Sequence, residues 1–174
     1  KFEFIFSLYI YIYKMAGFHT KTFKNDDEYY TPKHAWVDIQ KYIPTDKVIW
    51  EAFYGDGSSG TYLQEMGFKT ICEDVDFFDN DLGDMILSNP PFSLCKKIMP
   101  RLALIDKPFI LLMPCAKLHT NYFRDNFKDK NIQIIIPRRR IHFIKNNNHT
   151  TKCNFDCFYY CYKIGLENDI TWLE

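Results

Sequence analysis

The feature that most constrains this chain is the apolar run Met85-Ile86-Leu87, introduced by Asp84 and closed by Ser88-Asn89-Pro90-Pro91-Phe92. Two prolines in series lack N–H donors and disfavour helix in the residue before each, so the run reads as a strand ending in a rigid turn. Strand ends are where open α/β sheets bind their ligands. The Asn89 side-chain carbonyl and the Pro90 backbone carbonyl are both acceptors, and together they suit an exocyclic NH2 group. Phe92 offers a ring on which a flat heterocycle can stack. Asn-Pro or Pro-Pro alone is an ordinary turn signal; the four-residue string after an apolar strand is far more specific.

Upstream, residues 47–53 form a short apolar run that passes into Tyr54-Gly55-Asp56-Gly57-Ser58-Ser59-Gly60 and then into a helical pattern carrying Tyr62, Leu63 and Met66. A strand, a glycine turn and a helix let a ligand approach bare backbone. Gly-x-Gly by itself is common, and the absence of a following Lys-Ser/Thr pair disfavours a nucleoside-triphosphate loop. Residues 67–74 read as the second strand, ending in Glu73-Asp74. A carboxylate there is placed to accept hydrogen bonds from ribose hydroxyls, with Asp74 the first choice and Glu73 the runner-up; any one of these acids taken alone is better read as solvating a loop. Before the first strand, Thr31-Pro32 predicts a helix start, and Trp36, Ile39 and Ile43 continue it over residues 32–43 until Pro44.

The Asn89-Pro90-Pro91-Phe92 turn resembles the catalytic motif of the amino-methyltransferases, S-adenosylmethionine (AdoMet) enzymes that methylate adenine N6 and some other amino or amide nitrogens. Around it, Glu51, Phe53, Gly55 and Gly57 match the family's first AdoMet motif, with Ala52 where proline is usual. Tyr30-Thr31-Pro32 looks like the element that lies against the methionine end of the cofactor, and Asp76-Phe77 like the Asp-Phe pair that flanks its adenine. Arg138-Arg139-Arg140 with Phe143 resembles the Arg-x-x-Phe element of small phage and giant-virus adenine methyltransferases, where it lines the target-base pocket. The resemblance implies AdoMet as cofactor and in-line transfer without a metal or a protein nucleophile. It makes Asn89, Pro90, Pro91 and Phe92 the catalytic residues. The short spacing from Asp74 to Asn89 implies that the helix normally joining the second and third strands is missing or reduced to a turn.

Residues 93–105 show helical periodicity interrupted by Pro100, residues 108–115 are a fully apolar strand, and residues 116–130 read as loop then helix with Tyr122, Phe123 and Phe127 facing in. Residues 132–136 form another strand, and residues 155–164 are strongly β-prone. The expected fold is therefore α/β: a Rossmann-like class I methyltransferase, its mostly parallel sheet doubly wound and carrying a C-terminal antiparallel strand. One domain over residues 15–174 is expected, with residues 1–14 a leader or tail and Met15 the natural start. Residues 1–14 are apolar and aromatic but too short to span a bilayer.

The formal net charge is zero, so a polyanionic partner has to be met by segregated charge. Acids crowd residues 73–84, while Arg138, Arg139, Arg140 and Lys145 cluster later. The expected partner is nucleic acid, DNA first, with a separate recognition subunit as an option and the chain itself a monomer or weak oligomer. Cys153, Cys157 and Cys161 with His142 and His149 invite a metal reading, but no Cys-x-x-Cys pair is present and packed thiols are preferred. Free thiols and no evident secretory signal predict a reducing compartment, cytoplasm or nucleus. The rival readings are methylation of RNA amino groups or a protein glutamine amide, a catalytically silent subunit of the same fold, and a nucleotide-binding Rossmann protein that takes NAD.

Overall fold

The computed structural model describes residues 29–145, 149–150 and 153–174. Residues 1–14, Met15 and Asn146-Asn147-Asn148 lie outside the described residues. The main sheet contains β1 (Ile49–Trp50), β2 (Thr70–Ile71), β3 (Met85–Ser88), β4 (Phe109–Pro114), β5 (Ile132–Ile136), β8 (Cys157–Tyr162) and β9 (Ile170–Trp172), ordered β2-β1-β3-β4-β8-β5-β9. A separate two-stranded ribbon pairs β6 (Ile144–Lys145) with β7 (His149–Thr150). All main-sheet pairings are parallel except those of β8, which runs antiparallel between β4 and β5.

Both faces of the sheet are covered, which is why β3 and β4 read as unbroken apolar runs. Helices α1 (Lys33–Val37) and α2 (Ser58–Glu65) bury Trp36 and Leu63 against Met85, Leu87, Ile110 and Leu112. Helices α3 (Cys95–Ile105) and α4 (Asn121–Phe127) bury Ile98, Met99, Leu102, Phe123 and Phe127 against Ile86, Phe109, Leu111 and Met113. Alternate strand residues thus serve opposite layers, as the period of two requires. The result is an α/β fold with a mostly parallel mixed sheet, compatible with a Rossmann-like architecture. Among the described residues no helix is long and apolar enough to cross a membrane.

Three local expectations change. The helix predicted over residues 32–43 stops at Val37 and resumes only as a 3-10 turn at Gln40–Tyr42. The cause is distant: the Tyr159 hydroxyl donates to the Ala35 carbonyl at 2.6 Å, and the Ile39 N–H turns to Trp36 O instead of Ala35 O. Thr31 does not cap the helix. Pro32 occupies that position, which leaves the Thr31 hydroxyl one residue too early, buried and without a partner. Finally, the antiparallel strand is interior, and the last strand is β9, parallel to β5 at the sheet edge.

Residues 72–84, which connect β2 to β3, contain a turn but no helix or strand, as the short spacing implied. The chain leaves β1 for β2 on one side and then crosses to β3 on the other. This reversal opens a crevice beyond the carboxyl ends of β1 and β3.

Candidate functional site

A cleft of about 360 Å³ occupies that crevice, within the ~300–1,000 Å³ typical of small-molecule sites. One wall is the glycine turn after β1. Gly57 has φ +77 and stands at the N-terminus of α2, a conformation that a side chain would strain. Gly60 faces the opposite constraint. A Cβ there would lie 2.2 Å from the Cys72 sulfur, so only glycine lets α2 press onto the end of β2. Sequence reading passed over Gly60, although it completes a Gly-x-Gly-x-x-Gly spacing with Gly55 and Gly57.

Glu51 follows β1 and lines the floor, 1% exposed. Ser88 Oγ, at the end of β3, donates to its Oε1, and the Cys72 thiol donates weakly to Oε2. Burial lifts its carboxyl from the ordinary 4.5 to about 8, against the lowering effect of these hydrogen bonds. Burial first, and then the neighbouring Glu51, push the Cys72 thiol up to about 11. The folded Glu51 therefore keeps its proton across a range in which the unfolded chain has lost it. Stability from this group is complete below about pH 4.5 and is lost as pH rises through about 8. The expected result is a melting temperature that falls as pH is raised across that range, with a flatter profile in Glu51→Gln; parallel profiles for the two proteins would refute it.

Asn89 stands opposite, just past β3. Its Nδ2 donates to the Tyr29 carbonyl at 2.7 Å, which fixes the amide and leaves Oδ1 buried without a partner. A buried acceptor left unpaired costs ~1–3 kcal/mol, and a donor from a bound molecule would satisfy it. Thr31 Oγ1, on the same cleft, is likewise buried and unpartnered.

The electrostatic character of the cleft is one-sided. Glu51, Asp56, Asp74 and Asp76 all line it, and no lysine or arginine is among the described residues that do. Asp56 also occupies the N-terminus of α2, where its Oδ1 accepts from the Ser58 N–H at 3.0 Å and the Ser58 hydroxyl at 2.6 Å. A helix N-terminus below a glycine turn is the usual seat of a pyrophosphate. Here a carboxylate already holds it, so the cleft suits a cationic ligand without phosphate. Phe53, Val75, Phe77 and Phe78 add an apolar side, with Phe77 packed on Phe53 at 4.8 Å and on Trp50 at 5.6 Å.

Of the residues singled out from sequence, Tyr30, Thr31, Glu51, Phe53, Gly55, Asp74, Asp76, Phe77, Asn89 and Pro91 line this cleft; Pro32, Gly57, Pro90 and Phe92 adjoin it in sequence without lining it. Asp74 rather than Glu73 faces the cleft. Phe92 turns away into an aromatic cluster, stacked on Tyr29 at 6.1 Å and edge-on to Phe155 at 5.6 Å. Phe143 belongs to the same cluster and is 0% exposed, so it is a packing residue rather than an open ring. Arg138, Arg139 and Arg140 are not brought to the cleft; they line a separate groove. Tyr29, which sequence reading missed, lines the cleft and holds Asn89 through its carbonyl. Its segment is anchored by two hydrogen bonds between Tyr30 and Ile144. Cys153, Cys157 and Cys161 are buried thiols outside any disulfide, and burial raises the pKa of each. Among the described residues no group of three or more His, Cys, Asp or Glu side chains could hold a metal ion.

No protein-family model matches the chain, and no curated protein matches it.

Proposed function

We propose that the chain is an AdoMet-dependent amino-methyltransferase of the class I fold, acting on the N6 amino group of adenine in DNA. The observation that carries this reading is the acid-lined cleft, with no lysine or arginine among the described residues that line it, which ends at the unpaired carbonyl of Asn89. AdoMet is a nucleoside with no phosphate and with cationic sulfonium and ammonium groups, so the residues present fit it better than they fit a dinucleotide. Glu51 is the acid for the ammonium end beside Tyr30 and Thr31, Asp74 the acceptor for the ribose hydroxyls, and Val75, Phe77 and Phe78 the apolar side for the adenine.

Bound there, AdoMet supplies an electrophilic methyl group. The protein's part is positioning. Asn89 Oδ1 accepts a hydrogen bond from the target amino group, which draws the nitrogen lone pair out of conjugation and orients it for transfer; the Pro90 carbonyl, which the resemblance would make the second acceptor, follows it directly in the chain but does not line the cleft. The Tyr29 carbonyl keeps the Asn89 amide in the orientation this needs. Tyr29 lines the cleft beside Asn89, its ring stacked on Phe92 at 6.1 Å and overlaid by Lys145 Nζ at 5.0 Å.

An ammonium group beside Glu51 ionises it, so AdoMet binding should release a proton and tighten as pH rises toward about 8. Calorimetry in buffers of different ionisation enthalpy reads that proton directly. AdoMet bound in preference to NAD, with proton release that disappears in Glu51→Gln, is the expected result. Preference for NAD would overturn the cofactor assignment.

A further inference from the structure

Strand β5 terminates at the same end of the sheet as β3, and beyond it lies a second groove of about 830 Å³ between α1, the turn after β5 and the end of β9. Its cationic groups are Lys41, Arg138, Arg139 and Arg140, with His34 and His142; its acids are Asp38 and Glu174. Arg140 is held in place by a two-pronged pair with Asp156, at 2.7 and 2.9 Å. Arg138 and Arg139 are exposed and make no ion pair or side-chain hydrogen bond among the described residues. Trp172 aligns with Ile136 in the sheet, two residues before Arg138, and is 70% exposed. His142 Nδ1, also on the groove, is buried without a partner.

Open guanidinium groups beside an exposed indole are the two elements that bind an unpaired nucleic-acid strand: cations for phosphates and a ring for a base. We infer that this groove holds a single-stranded stretch of nucleic acid, with phosphates on Arg138 and Arg139 and a base stacked on Trp172. Its use as the flank of a methylation target rests on the function proposed above. The groove and Asn89 lie at one end of the sheet, three to four strands apart, or ~14–19 Å at ~4.8 Å per strand. The groove would therefore meet the strand on one side of the target base and set how much flanking sequence the substrate needs.

Trp36 and Trp50 are fully buried, so Trp172 dominates the long-wavelength tryptophan emission. Titration of the protein, without AdoMet, with oligothymidylate of about twenty nucleotides should quench that emission. Arg138→Glu/Arg139→Glu should weaken binding at least tenfold. Arg138→Gln/Arg139→Gln, which introduces no new charge, should lower the salt slope of log K by ~1.4, or ~0.7 for each phosphate lost. Absence of quenching, equal quenching by polyglutamate, or an unchanged salt slope in the glutamine variant would each overturn the inference. Strand binding without methyl transfer would keep the groove and remove the methyltransferase reading. Methyl transfer with an unresponsive Trp172 would remove the groove alone.

Discussion

Asn89→Ala is expected to lower kcat for methyl transfer by about 10³-fold, a loss like that of one transition-state hydrogen-bond partner in a preorganised site. AdoMet affinity should stay within about twofold. The split follows from position: Asn89 closes the β3 end of the cleft, whereas the glycine turn, Glu51 and Asp74 build the rest. Two losses coincide in this variant. The unpaired Oδ1, the proposed acceptor for the target amine, disappears, and so does the Nδ2 bond that ties the turn to the Tyr29 carbonyl. Asn89→Asp separates them, because it keeps an oxygen acceptor but loses the donor to Tyr29; its activity should fall between the two. Single-turnover rates at saturating AdoMet, set beside equilibrium cofactor binding, make the comparison. Undiminished turnover in Asn89→Ala would end the assignment of this turn as catalytic.

Gly60→Ala should be the most damaging single-methyl addition in the glycine turn and the first turn of α2. The added Cβ would stand 2.2 Å from the Cys72 sulfur and 2.3 Å from its Cβ, so α2 must move away from the end of β2. Overpacking of this kind costs about 3 kcal/mol at the upper end of its usual range, equivalent to a fall in Tm of roughly 6–12 °C for a chain of this size. Because α2 carries the glycine turn at its N-terminus, AdoMet affinity should fall with stability. Cys72→Gly in the same chain removes both clashing atoms, and the double variant should recover most of the loss. Thermal melts of the single and double variants test this, and a Gly60→Ala protein as stable as wild type would show that the helix has room.

Much of this was legible in sequence because the underlying physics is local. Strands β4 and β5 lie close to where their apolar runs end, since a strand buried on both faces needs no alternation and proline stops it cleanly. The turn at Asn89, the glycine turn at Gly55 and Gly57, and the helix-free stretch between β2 and β3 were readable for the same reason. What was not legible depends on partners far away in the chain. The break after Val37 comes from Tyr159, 124 residues beyond Ala35. Strand β9 has three residues and two exposed side chains, so its existence rests on pairing with β5 rather than on any pattern of its own. Phe143 lies among charged neighbours in sequence, and only the approach of Tyr29, Phe92 and Phe155 encloses it. Arg138 and Arg139 share that short segment, yet they sit at the end of β5 and face the second groove. Their nearness to Phe143 in sequence says nothing of a shared pocket.

The central claim is most directly tested by transfer of labelled methyl from AdoMet to separate DNA, RNA and protein pools, followed by nucleoside analysis of the labelled material. Label in N6-methyladenine of DNA, dependent on an intact Asn89, is the expected result. Bound AdoMet with no label in any pool, or label that persists unchanged in Asn89→Ala, would contradict it.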